Sequence, residues 1–258
     1  MALIHLEHVP ETVKVTLPLK VILPDPGKMA GRPVRDRKVL YLLHGLSDDA
    51  GAWQRFTAIE PTAAAYGLVV VMPSAGRSFY TDQPNGQLYF TYLTEELPRY
   101  LADVFGLSPR RQDTLIAGNS MGGYGAFKAA LAYPERFFAA ASFSGVLSLE
   151  FLRLYRDDPR REEFTLLFGD LDRLSGSPHD PQVWFARAAQ APEKLPRLYM
   201  SCGRQDDLCP VNQAAYAGMQ KLNLPVEYHE EDARHDWFCW DRQIRRFLAS
   251  VLGPLPEE

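Results

Sequence analysis

Ile116-Ala117-Gly118-Asn119-Ser120-Met121-Gly122-Gly123-Tyr124-Gly125 sets a serine inside Gly-x-Ser-x-Gly, between an apolar run and a helix-forming one. Upstream, Arg111-Gln112-Asp113-Thr114-Leu115-Ile116-Ala117 reads as a short buried strand; downstream, Gly125-Ala126-Phe127-Lys128-Ala129-Ala130-Leu131-Ala132 reads as a helix that ends before Pro134. Strand, sharp turn and helix in that order make a nucleophile elbow, in which the serine takes a strained backbone and presents its hydroxyl to solvent. Side chains two positions before and after it would collide, which is why Gly118 and Gly122 flank it. The same turn aims the Met121 N–H and the positive helix end at the place where an oxyanion would develop.

Working outward, the chain alternates strands with helices. An extended segment at 13–23, broken by Pro18, ends in the turn Pro24-Asp25-Pro26-Gly27, and a loop at 28–37 follows. Apolar strands are predicted at 38–43, 68–72, 137–142, 197–202 and 226–230, and helices at 57–66, 91–105, 211–222 and 237–252. Runs apolar on both faces suit a central parallel sheet covered by helices. The pattern predicts an α/β fold: one doubly wound, mostly parallel domain over residues 1–258. The stretch 147–190, charged and irregular with Pro159, Pro178 and Pro181, breaks the alternation just after a strand. It reads as a short insertion over the carboxyl edge of the sheet and the active site, held or lined by Leu149, Phe151, Leu152 and Leu154.

Composition narrows the class of function. With 46% hydrophobic and 23% charged residues and a formal charge of -4, the chain is an ordinary globular protein with no electrostatic reason to bind nucleic acid. No segment approaches a membrane span, and Met1-Ala2-Leu3-Ile4-His5-Leu6-Glu7-His8 has no basic start or cleavage site, so a cytoplasmic location is expected. Cys202, Cys209 and Cys239 lack metal-type spacing and read as small buried side chains. His44 with Asp48 and Asp49 crowds three hard ligands on one loop without a distant partner, so no metal is expected. A homo-oligomer is compatible with everything in the sequence.

A serine hydroxyl needs a base within hydrogen-bond reach, and the base needs an orienting acid. Of six histidines, His5, His8 and His44 precede the nucleophile, His179 lies in the insertion and His229 inside a strand pattern. His235 alone lies after the last strand, in the loop before the final helix, where the order Ser, acid, His requires it. The acid should follow the strand ending at Cys202, where Gly203-Arg204-Gln205-Asp206-Asp207 offers Asp206, with Asp207 as the alternative. The second oxyanion donor should come from His44-Gly45-Leu46, through the N–H of Leu46. Trp53, Phe79, Tyr80 and Trp237 fall near the expected mouth, where they either line a substrate pocket or pack the core. Tyr124 and Phe127 read as core.

These residues resemble the esterase D family of α/β hydrolases, in particular its tributyrin esterase branch with bacterial acetyl and feruloyl esterases. The likeness runs through Tyr41-Leu42-Leu43-His44-Gly45-Leu46-Ser47, Trp53, Ser78-Phe79-Tyr80-Thr81-Asp82, Glu95-Glu96-Leu97-Pro98 and the elbow. It continues in Ser142-Phe143-Ser144-Gly145, Phe168-Gly169, Cys202-Gly203-Arg204-Gln205-Asp206 and His235-Asp236-Trp237. The resemblance implies the α/β-hydrolase fold and a cofactor-free serine carboxylesterase for short acyl esters. It also implies Ser120, Asp206 and His235 as triad and Leu46 and Met121 as oxyanion donors. S-formylglutathione hydrolases and, further off, mycolyltransferases belong to the same family, so a thioesterase or an acyltransferase is the alternative; a non-catalytic binding module does not suit an ordered triad.

Overall fold

The computed structural model describes residues 1–25, 33–154 and 156–255. Its sheet has eight strands: β1 (Ala2–His8), β2 (Leu17–Leu23), β3 (Val39–Leu43), β4 (Val69–Pro73), β5 (Thr114–Asn119), β6 (Ala139–Phe143), β7 (Arg197–Gly203) and β8 (Val226–Glu231). They lie in the order β1-β2-β4-β3-β5-β6-β7-β8. β1 and β2 form an antiparallel hairpin joined antiparallel to β4, and every later pairing is parallel. The turn read at 24–27 falls partly outside the described residues.

Alternation along the parallel strands explains the two helical layers. Leu40, Leu42, Val70, Met72, Leu115, Ala117, Ala139 and Ala141 point to one face, where Ile59, Ile244, Phe247 and Leu248 cover them from α2 (Ile59–Tyr66) and α10 (Trp237–Leu252). Val39, Tyr41, Leu43, Val69, Val71, Ile116 and Ala140 point to the other. There α4 (Leu97–Phe105), α5 (Met121–Ala132) and α9 (Cys209–Lys221) pack. The short α1 (Ala52–Phe56) and α3 (Tyr89–Thr91) sit in the connections after β3 and β4. Each face alone hides enough apolar surface to need a cover, so the sheet is wound on both sides.

β1 and the helical content of the insertion depart from the sequence reading. β1 alternates residues that are only half covered on either face, so its sequence shows no single apolar stripe. The insertion leaves the carboxyl end of β6 and forms α6 (Glu150–Leu154), α7 (Arg161–Phe168) and α8 (Pro181–Ala188). Phe164, Phe168 and Phe185 bury there, and Phe79 meets Phe164 and Phe168 edge to face at 5.8 and 5.4 Å. Of its expected apolar face, Leu149 and Leu152 are buried, whereas Leu154 is exposed.

Candidate active site

Ser120 joins β5 to α5 with φ 54° and ψ −117°, a conformation that costs a non-glycine residue roughly 1–3 kcal/mol. The elbow glycines explain how the chain tolerates it: a Cβ at Gly118 would lie 2.5 Å from the Gly122 carbonyl, and one at Gly122 2.4 Å from the Leu43 oxygen. Met121 opens α5, so its N–H has no partner inside the helix and is available to an oxyanion. The facing loop comes close as well, since a Cβ at Gly45 would sit 3.6 Å from the Ser120 Cβ. Leu46, partly exposed, follows in that loop.

The candidate acid and base are joined directly. His235 Nδ1 lies 2.8 Å from Asp206 Oδ2; the Asp206 side chain is fully buried, and the His235 side chain is 36% exposed. Burial works against the Asp206 charge, but the hydrogen bond and charge of His235, the Leu208 N–H and the Ser144 hydroxyl outweigh it, so its pKa lies below the usual carboxylate value. Asp207, the alternative acid, is exposed, whereas Asp206, the first choice from the sequence, is the carboxylate that meets His235. The loops carrying acid and base are locked together: Gln205 N–H donates to the Ala233 carbonyl at 2.9 Å and Arg204 N–H to that of Glu231 at 2.8 Å. Gly203 is needed for this approach, because a Cβ there would fall 2.2 Å from the Ala233 oxygen. Asp236 then caps α10 by accepting the Cys239 N–H. Among the described residues, Ser120 and His235 make no direct hydrogen bond.

The aromatic residues divide differently from the sequence expectation. Trp53 and Tyr80, expected to line the pocket, are each 1% exposed and offer it no wall. They brace the end of β3 and the turn after it from behind: Trp53 Nε1–H donates to the Leu43 carbonyl at 2.9 Å and the Tyr80 hydroxyl to that of His44 at 3.1 Å. His44 completes the brace. Its Nε2 accepts the Ala75 N–H at 2.9 Å, which places the proton on Nδ1 for the Gly45 carbonyl at 2.7 Å. Burial lowers the His44 pKa and keeps this ring neutral. Trp237 is half-buried and stacks on Phe56, itself 47% exposed, at 5.3 Å. Trp240, which the sequence reading passed over, meets His235 edge to face at 4.9 Å; its spacing of one helical turn from Trp237 was the available signal. Cys202, Cys209 and Cys239 are all free and buried.

With this geometry in view, the wider comparison decides the lineage. Residues 11–250 match the Esterase family. The chain belongs to that family. It is 30% identical over 254 residues to the acetyl esterase of Caldicellulosiruptor saccharolyticus, covering 95% of this chain and 96% of that protein. Among solved structures, the substrate-bound fluorophosphonate-binding serine hydrolase FphF of Staphylococcus aureus superposes with a TM-score of 0.88 at 32% identity, covering 97% and 98% of the two chains. The S-formylglutathione hydrolase FrmB of the same organism gives 0.86 at 32% identity, with the same coverage. The Esterase-family protein is thus an α/β hydrolase and a serine hydrolase. No helix among its described residues is long and apolar enough to cross a membrane.

Proposed function

We propose that the protein hydrolyses short-chain acyl esters through a Ser120, His235 and Asp206 triad and an acyl-enzyme, without a cofactor. The observations that carry this are the buried Asp206 bonded to His235 and the strained elbow backbone of Ser120. His235 takes the hydroxyl proton as Ser120 attacks the ester carbonyl, and Asp206 holds the imidazole tautomer and balances its charge. The N–H groups of Met121 and Leu46 receive the oxyanion. The alcohol leaves with the proton from His235, and water attacks the acyl-enzyme by the reverse path.

Acyl chains of roughly two to four carbons should be preferred, because a short, charged insertion cannot form the broad apolar lid of a long-chain lipase. Each methylene that fits adds about 0.8 kcal/mol, and one that meets a wall costs strain instead. Hydrolysis of 4-nitrophenyl esters from acetate to palmitate tests this, and a maximum at twelve carbons or beyond would overturn the short-acyl reading. Similarity to FrmB supports a second reading, thioester hydrolysis; a higher kcat/KM for S-acyl than for matched O-acyl substrates would favour it.

A further inference from the structure

Two turns beyond the elbow, α5 faces α8 across a cleft of about 570 Å3, with Lys128 at its floor and Phe90, Tyr133 and Trp184 along its walls. Lys128 is 8% exposed, and its ammonium spends two of its three hydrogens, one on the Thr81 hydroxyl and one on the Tyr80 carbonyl at 3.4 Å. Among the described residues no carboxylate lies within ion-pair distance of it. Asp82 also lines the cleft, but its oxygens are committed: Oδ1 accepts the Phe90 and Thr91 N–H groups, each at 2.9 Å, and Oδ2 the Thr91 hydroxyl at 2.8 Å. The Thr81 hydroxyl, having accepted from the lysine, donates to His179 Nδ1 at 3.3 Å. That places the histidine proton on Nε2, which has no partner among the described residues. One N–H of Lys128 and one of His179 are thus left over beside the same cleft. The Trp184 indole donates to the Pro178 carbonyl at 2.7 Å, so this wall is set before any ligand arrives.

We propose that the cleft between α5 and α8 binds a small organic carboxylate, whose oxygens take the spare N–H groups of Lys128 and His179 while its apolar body lies against Phe90, Tyr133 and Trp184. A buried cation without a counterion is costly, and an anion that reaches it supplies both the charge and the acceptor it lacks. Binding is therefore linked to the lysine proton. Without a ligand, burial holds Lys128 at about 7, and a bound carboxylate raises that value. The other ionisable groups around the cleft are Asp82, Tyr133, His179 and Arg187, with Tyr80 and Tyr124 packed against the lysine. Burial keeps both of those tyrosines protonated, and burial with the lysine charge holds His179 at about 4.

Titration calorimetry with benzoate and hexanoate, run at pH 6 and pH 8.5 in buffers of different ionisation enthalpy, tests this. At pH 6 the lysine already carries its proton, whereas at pH 8.5 each carboxylate bound must draw one from the buffer. Affinity should fall about ten- to thirtyfold between the two, with close to one proton taken up at the higher pH. Lys128→Met should weaken binding at pH 6 by about ten- to a hundredfold and abolish the uptake. His179→Phe, which keeps the ring contact with Phe168 and loses only the N–H, should weaken it by less and leave the uptake intact. Ser120→Ala should bind as the wild type does, which separates this cleft from the proposed active site. Absence of heat with both carboxylates at millimolar concentration would overturn the proposal. So would undiminished binding in a folded Lys128→Met protein, which would place the ligand elsewhere, and equal binding of chloride, which would leave the apolar walls without a part.

Discussion

Helix α5 carries a polar cluster at its amino end and a second two turns further on, and they treat charge in opposite ways. At the first, the buried Asp206 carboxylate meets the His235 ring, which opens to solvent on its other side. At the second, Lys128 is 8% exposed, bonds the Thr81 hydroxyl and the Tyr80 carbonyl, and lies 4.5 Å over the Phe90 ring. Among the described residues no carboxylate comes within ion-pair distance of it, although Asp82 attracts it from further away. Burial accordingly drags the Lys128 pKa down to about 7. Its neighbour His179, 3.3 Å from the Thr81 hydroxyl, falls to about 4 through burial and then the lysine charge. A paired, half-open cluster can pass protons to a substrate. An unpaired, closed one ties the insertion to the elbow helix and leaves its charge as a liability.

The largest effects should therefore be confined to the first cluster and to rate. Ser120→Ala should lower ester turnover by about 10⁴- to 10⁶-fold while the protein stays folded. Ser120→Gly should be as inactive but more stable, by about 1–2 kcal/mol, because it relaxes the positive φ; turnover with urea unfolding of both variants checks the pair. Next, Asp206→Asn should cost about 10³- to 10⁴-fold in kcat, and Asp207→Asn should leave kcat at the wild-type level. The reverse order would move the acid to Asp207 and dissolve the contrast between the clusters.

How far the sequence announced these clusters follows from what each depends on. Ser120 and His235 were legible because local rules confine them: an elbow needs its glycines, and the base must follow the last strand. The parallel strands were legible because burial on both faces leaves an apolar run, and α10 was predicted over its observed span. Asp206 and Asp207 are adjacent, so the spacing put Asp206 first and kept Asp207 as the alternative, and the 2.8 Å contact of His235 with Asp206 beside an exposed Asp207 separates them. Trp53 and Tyr80 lie close to the site in sequence order, yet their polar atoms serve the carbonyls of Leu43 and His44, which no pattern reveals. Lys128 read as one residue of an apolar helix; its closure depends on Tyr80, Thr81 and Phe90, far along the chain.

The second cluster should answer to stability in place of rate. Tyr124 is fully buried and donates its hydroxyl to the His179 carbonyl at 2.9 Å, the bond that stitches the insertion to α5. Tyr124→Phe should lower unfolding free energy by about 1–2 kcal/mol, with kcat/KM for a short ester unchanged. A fall in kcat/KM without a fall in stability would show that the insertion sets catalytic geometry, and the division of labour along α5 would not hold.

The smallest effect is the sharpest test of the unpaired charge. Folded, Lys128 titrates at about 7; unfolded, near the ordinary 10.5. Between those values the unfolded chain holds more protons at this position, so the wild type gains stability as pH rises through that window and carries the full cost of a buried ammonium below it. Lys128→Met keeps most of the side-chain length and has no charge to lose. Relative to the wild type it should be favoured more at pH 6.5 than at pH 9, by about 1 kcal/mol or more, as read from urea unfolding at the two values. Taking the difference between the two proteins removes every other titrating group. Activity on short esters should not separate them at either pH. A gap that stays constant from pH 6.5 to 9 would mean that Lys128 keeps its proton throughout, held by Thr81, Tyr80 and the distant Asp82, and that the second cluster manages its charge as completely as the Asp206–His235 pair does.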